Sequence, residues 1–207
     1  MLGENTKRFL SISSPPLGPT VALDPQEGLV EWAGVMSARN GFVAFESALL
    51  VRPAICDHPA LSDVKAWNSP NCWLNAYEFT LPKMLFFAED VFGEQFAILG
   101  DSIVRFDPET GDHTWLATTF DDWAKLVCDH YNEETGFSLG REWQAEHGAL
   151  ALGERLLPRV PFVLGGEYTL SNLKKWNDRK GMRARGFLAT KLQGVPDGAQ
   201  VSFVLEE

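Results

Sequence analysis

The stretch from Met84 to Ala117 constrains the fold more than any other part of the chain. It holds four short apolar runs, Met84–Phe92, Glu94–Asp101, Ser102–Gly111 and Asp112–Ala117. They are punctuated only by Gly93-Glu94, Gly100-Asp101 and Pro108-Glu109-Thr110-Gly111. Parallel neighbours need a crossover of roughly a dozen residues or more, and no such length is available between these runs. Short links of this chemistry turn the chain straight back on itself, so the four runs form an antiparallel meander.

The flanking segments carry helical signals. Leu29, Trp32, Ala33 and Met36 recur at helical spacing, which predicts a helix from Gln26 to Arg39 that Asn40-Gly41 stops. The next segment, GFVAFESALLVRP, alternates as a single strand up to the loop that Pro53 begins. Residues 53–76 are turn-rich, yet Trp67, Trp73 and Tyr77 are large aromatics that pull this connection down onto the core. Thr119 caps a helix whose first turn holds Asp121 and Asp122, where the helix dipole favours negative charge, and Gly136 ends it. A short helix is expected over Leu139–His147 and a longer one over Lys174–Leu192. A last strand is expected in AQVSFVL, with Val201, Phe203 and Leu205 on one face. The fold class is therefore α+β: an antiparallel or mixed sheet meander flanked by helices. Residues 1–24 form an irregular Ser/Pro/Gly-rich segment, 25–136 the main domain, and 137–207 a C-terminal α/β extension packed on it.

Charge divides the chain more sharply than its total suggests. The 207 residues carry a net charge of −10. Residues 1–137 hold 20 acidic and 8 basic side chains, net −12, and residues 138–207 hold 8 and 10, net +2. Lys174–Lys191 alone contains seven basic residues against Asp178. An acidic surface repels nucleic acid and suits a basic protein partner. A basic helix docked on the chain's own acidic part accounts for the contrast without any external partner. Lys7 and Arg8 are followed by too few apolar residues for a signal peptide, and no apolar stretch approaches the roughly 20 residues of a spanning helix, so a cytoplasmic protein off the membrane is expected. Cys56, Cys72 and Cys128, odd in number and widely spaced, read as reduced thiols.

Little of the sequence carries catalytic chemistry. Four scattered histidines make no zinc pattern, and no nucleophile elbow or phosphate-binding loop is present. Asp107–Asp112 fails as a calcium loop, since an EF-hand opening at Asp107 wants Gly where Asp112 stands and Glu where Thr118 stands. No cofactor and no metal are expected. Glu89 and Asp90, with Asp101, form a carboxylate group that an acid/base enzyme would use, but acids at strand ends are also ordinary turn features. For partner binding the candidates are Asp101, Asp107, Glu109, Asp112, Asp121 and Asp122, at hairpin tips and a helix start, where exposed loops carry recognition. The alternative is that they are solvated turns.

Several of these pieces, in this order, resemble the SUKH superfamily, which includes fungal Smi/Knr cell-wall assembly regulators and bacterial immunity proteins. They are Asn40-Gly41, Ala88-Glu89-Asp90-Val91-Phe92-Gly93, the strand Phe96–Ile98, the hairpin Asp107–Gly111 and the helix start Phe120–Trp123. The match spans about residues 26–135 and leaves 137–207 outside it. The resemblance implies a non-catalytic α+β protein-binding module of the bacterial cytoplasm. Such a module neutralises a cognate toxin, commonly a basic nuclease or deaminase domain, by binding it. The other readings are an intracellular scaffold or regulator of the Smi/Knr type and, from a different class, a carboxylate-dependent enzyme.

Overall fold

The computed structural model describes residues 2–24, 30–196 and 198–199. Six strands form one sheet in chain order, every neighbour antiparallel: β1 (Phe42–Ala44), β2 (Leu49–Val51), β3 (Leu85–Asp90), β4 (Gln95–Leu99), β5 (Ser102–Phe106) and β6 (His113–Ala117). The last four are the expected meander, and the sheet is antiparallel throughout. Two further strands, β7 (Glu154–Pro158) and β8 (Leu173–Asn177), pair as a separate antiparallel ribbon. Leu156 N–H donates to the Val91 carbonyl at 2.9 Å, which ties the ribbon to the end of the large sheet.

Helices cover both sheet faces, which explains why β3 reads Leu-Phe-Phe-Ala instead of alternating apolar with polar. On one face lie α1 (Glu4–Ser11), α2 (Val30–Ala38) and α4 (Phe120–Asp129). There Phe9, Trp32, Met36 and Trp123 pack on Phe87, Phe96 and Ile103. On the other face, Trp67 of α3 (Val64–Trp67), Trp73 and Tyr77 join Met182 and Ala189 of α7 (Asp178–Leu192) over Phe86, Val104 and Phe106. A third cluster, with Val91, Phe92, Trp143 and Leu156, joins α6 (Phe137–His147) to the ribbon, while α5 (Tyr131–Thr135) meets its edge where Val91 N–H donates to the Thr135 carbonyl. The 53–76 connection thus packs down as expected, with Trp67 and Trp73 fully buried.

Four local expectations are corrected. Residues 1–24 are not wholly irregular, because α1 occupies Glu4–Ser11 and buries Phe9 against Phe42 and Trp123. The group at its N-terminus is remote in sequence: the Asp121 carboxylate accepts from Thr6 N–H, Thr6 Oγ1 and Asn5 Nδ2, each at 2.8 Å. The single strand expected after Gly41 is a hairpin. Phe45, Glu46 and Ser47 all take positive φ (51°, 51° and 71°) and reverse the chain, while Phe45 stacks on Tyr131. The helix begun at Thr119 is interrupted at His130 before α5, and Gly136 ends α5 in a left-handed turn where a Cβ would lie 2.2 Å from the Phe92 ring. Finally, the helix expected from Lys174 starts only at Asp178, since Leu173–Asn177 pair with β7 and Asn177 caps α7 through Lys180 N–H. Residues 26–29 of the helix expected from Gln26, and the last strand beyond Ala199, lie outside the described residues.

Gly181 and Gly186, unfavourable in a helix by propensity, are what let α7 approach the β7–β8 ribbon and the Ala76-Tyr77 segment. A Cβ at Gly181 would stand 2.5 Å from Leu157 Cδ2, and one at Gly186 would stand 2.7 Å from Tyr77 Cε2. The part after residue 136 therefore supplies much of the second core layer. No helix among the described residues is long and apolar enough to cross a membrane.

Candidate functional site

Two acidic residues at the end of β3 face opposite sides of the sheet. Glu89 points under α7. There Arg52 Nη2 lies 2.9 Å from both Glu89 Oε2 and Asp178 Oδ2, and Arg155 Nε lies 2.9 Å from Glu89 Oε1. The Arg52 guanidinium rests 3.3 Å above the Trp67 ring centroid. Trp67 Nε1 donates to Gln95 Oε1 (2.9 Å), and Gln95 Nε2 donates to Glu89 Oε2 (3.1 Å). Desolvation pushes the Glu89 carboxyl up, but Arg52 and Arg155 outweigh it and hold it below the ordinary carboxylate value. Asp178 is raised, by burial first and by Glu89 second. Two cations balance two anions in a closed interior network.

Asp90 turns the other way. Its Oδ1 accepts from Phe92 N–H and Glu94 N–H, both at 2.9 Å, which fixes the turn into β4. For Oδ2 the neighbouring cation is Arg105 Nη1 at 3.8 Å, beyond hydrogen-bond distance. Arg105 instead bridges Glu94 (2.8 Å) and Glu134 (2.6 Å), and it lies over the Phe96 ring. Burial, and then the neighbouring Glu94, raise Asp90 from 3.8 to about 8. Desolvation and the same carboxylates raise the Tyr168 phenol to about 12. Asp90, Glu94, Arg105, Glu133, Phe92 and Tyr168 line an open cavity of about 300 Å³. Tyr168 stacks on Phe162 with ring centroids 3.9 Å apart, and it meets Phe92 edge-on at 5.4 Å.

The six acidic residues proposed for partner binding do not form one patch. Asp101 and Asp112 are exposed, at the β4–β5 turn and just before β6. Asp122 is exposed and accepts from the Thr119 hydroxyl. Asp121 is committed to α1. Glu109 is buried: Arg185 Nε lies 3.5 Å from its Oε1, and Val163 N–H donates to its Oε2 at 2.9 Å. Asp107 accepts from Glu109 N–H inside the same hairpin, and burial raises both carboxyls. The hairpin tip is thus covered by α7 and the 162–164 turn instead of standing free. The trio Glu89, Asp90 and Asp101 is also separated, since the first two diverge across the sheet and Asp101 lies at the far end of β4.

Arg105 and Tyr168 were not singled out from sequence. Arg105 had a signal, being the one basic residue between Lys83 and Lys125. Tyr168 had none, because only folding of the 159–172 connection brings it to Asp90. Among the described residues no cluster of His, Cys, Asp and Glu has the arrangement to hold a metal ion.

Comparison with family models and with curated proteins returns no match. Among solved structures, the chain is similar to the crystal structure of Atu4351 from Agrobacterium tumefaciens. The TM-score is 0.54 at 12% identity, over 89% of this chain and 88% of that one. A likeness at that identity is one of fold, and the α+β architecture is shared over most of both chains.

Proposed function

We propose that this chain is a protein-binding module of the immunity type, which acts in the cytoplasm by binding and neutralising a basic toxin domain of the nuclease or deaminase class. The resemblance of residues 26–135 to the SUKH superfamily supports this reading. One observation carries it. Among the described residues the buried side chains of the Arg, Lys, Asp and Glu types are Arg52, Arg155 and Arg185 against Glu89, Glu109, Asp178 and Asp90. Three cations face four carboxyls, so the core holds at most one of the chain's net negative charges. The negative charge of the chain is therefore carried outside the core, where it speeds encounter with a positive partner and selects it.

Co-expression with the toxin domain encoded beside it is expected to restore growth, and failure of any adjacent or related toxin domain to bind would overturn the reading. The surface arm of the test uses Asp101→Lys with Asp112→Lys, both exposed, and leaves the buried Glu109 in place. This pair is expected to lower the association rate by about tenfold at low salt and to flatten its salt dependence.

A further inference from the structure

We infer that the cavity beside Asp90 receives a guanidinium group, an arginine side chain presented by the basic partner. The inference rests on the protein-binding reading and adds to it the chemistry of the anchor. The cavity, about 300 Å³ and open to solvent, has room for an arginine side chain.

Three features of its walls specify a planar cation. The first is an acceptor without a donor. Asp90 is 1% exposed and its Oδ1 is satisfied by two backbone N–H groups, whereas among the described residues its Oδ2, bordering the cavity, accepts no hydrogen bond, the nearby Arg105 at 3.8 Å being engaged by Glu94 and Glu134. A buried carboxylate oxygen of this kind gains most from a charged donor. The second is the surrounding field. Among the described residues, Asp90, Glu94, Glu133, Glu134, Asp107 and Glu109 gather around two guanidiniums, Arg105 and Arg185, and the second of these is set against Glu109. The third is the aromatic wall. Tyr168 has one ring face covered by Phe162, yet the residue is 56% exposed, so its remaining surface borders the cavity and solvent. A guanidinium stacks on an aromatic face, directs several N–H donors in one plane and keeps its proton when partly desolvated, whereas an ammonium does none of these as well. The protein already builds one such arrangement itself, with Arg105 over Phe96 between Glu94 and Glu134.

A proton accompanies the binding. Asp90 is faced by Glu94 from the β3–β4 turn, Arg105 from β5 with Glu133 and Glu134 of α5 beside it, Arg185 from α7, and Tyr168. Near neutrality it is protonated, so an incoming guanidinium displaces that proton, and affinity rises with pH up to about 8.

The test titrates agmatine into the full chain and follows backbone amide shifts, with cadaverine as the ammonium probe and butylurea as the neutral one. Agmatine is expected to bind in the millimolar range and to shift Phe92, Glu94 and Tyr168, and butylurea not to bind. Asp90→Asn preserves an acceptor for both backbone N–H groups, and Tyr168→Ala alters an exposed side chain, so both variants fold. Each is expected to weaken agmatine by at least about tenfold, and the pH dependence disappears in Asp90→Asn. No saturable binding, equal binding of cadaverine, or binding that both variants leave intact would overturn the inference. A toxin domain that binds the variants as tightly as the parent overturns the pocket and leaves the immunity reading standing. Agmatine bound at Asp90 with no toxin domain bound does the reverse.

Discussion

Glu89 and Asp90 differ by one position and by the company each keeps. Glu89 lies between two arginines and is ionised, while Asp90 has burial and Glu94 against it and holds a proton. Removing one charge from a closed buried network leaves its partners unpaired, so Glu89→Gln is expected to cost about 3–5 kcal/mol, read as a lower urea midpoint. The consequence at Asp90 has the opposite sense. Its folded value of about 8 exceeds its ordinary 3.8, so across that window the folded chain keeps a proton that the unfolded chain has lost. Stability therefore falls as pH rises through the window. Asp90→Asn is expected to remove that fall. Urea midpoints measured below and above the window check it, and equal slopes for parent and variant would contradict the assignment.

Elements show where the sequence was legible and where it was not. The meander was legible because its turns are short and local, and so was the α4 cap, where Thr119 Oγ1 accepts from Asp122 N–H three residues on. The start of α1 was not, because its partner Asp121 is 115 residues away. The β1–β2 turn was hidden because three non-glycine residues adopt a conformation usually reserved for glycine. The first residues of the basic stretch read as helix because nothing local reveals that Leu173–Asn177 pair with β7. In the site, Asp90 is legible as an acid beside Glu89. The Asp107–Asp112 hairpin reads locally as an exposed tip, but Arg185, which covers Glu109, arrives from a helix about 75 residues later. Glycine in α7 invites a test at this scale. Propensity alone would favour Gly186→Ala by about 1 kcal/mol, but the new Cβ meets the Tyr77 ring at 2.7 Å and Ala76 Cβ at 2.9 Å. The variant is expected to be destabilised by about 1–3 kcal/mol net, as a lower midpoint in thermal unfolding.

At the scale of the whole molecule, the segment after residue 136 is part of the core. It supplies Met182 and Ala189 over Phe86 and Phe106, Asp178 to Arg52, and Arg155 to Glu89. A fragment ending at Gly136 would expose that apolar face and strand Arg52 and Glu89 in it. Such a fragment is expected to show no cooperative unfolding transition, and a sharp transition near that of the full chain would count against the shared core. The interior nearly balances three arginines against four carboxyls, so function is expected to follow the surface charge and the cavity beside Asp90. Association kinetics of the full chain with a basic toxin domain, at about 50 and about 500 mM salt, test this most directly. The account expects a fast association that slows by more than about tenfold at the higher salt, with the toxin inhibited in the complex. An absence of complex at micromolar concentration, or an association rate indifferent to salt, would contradict it.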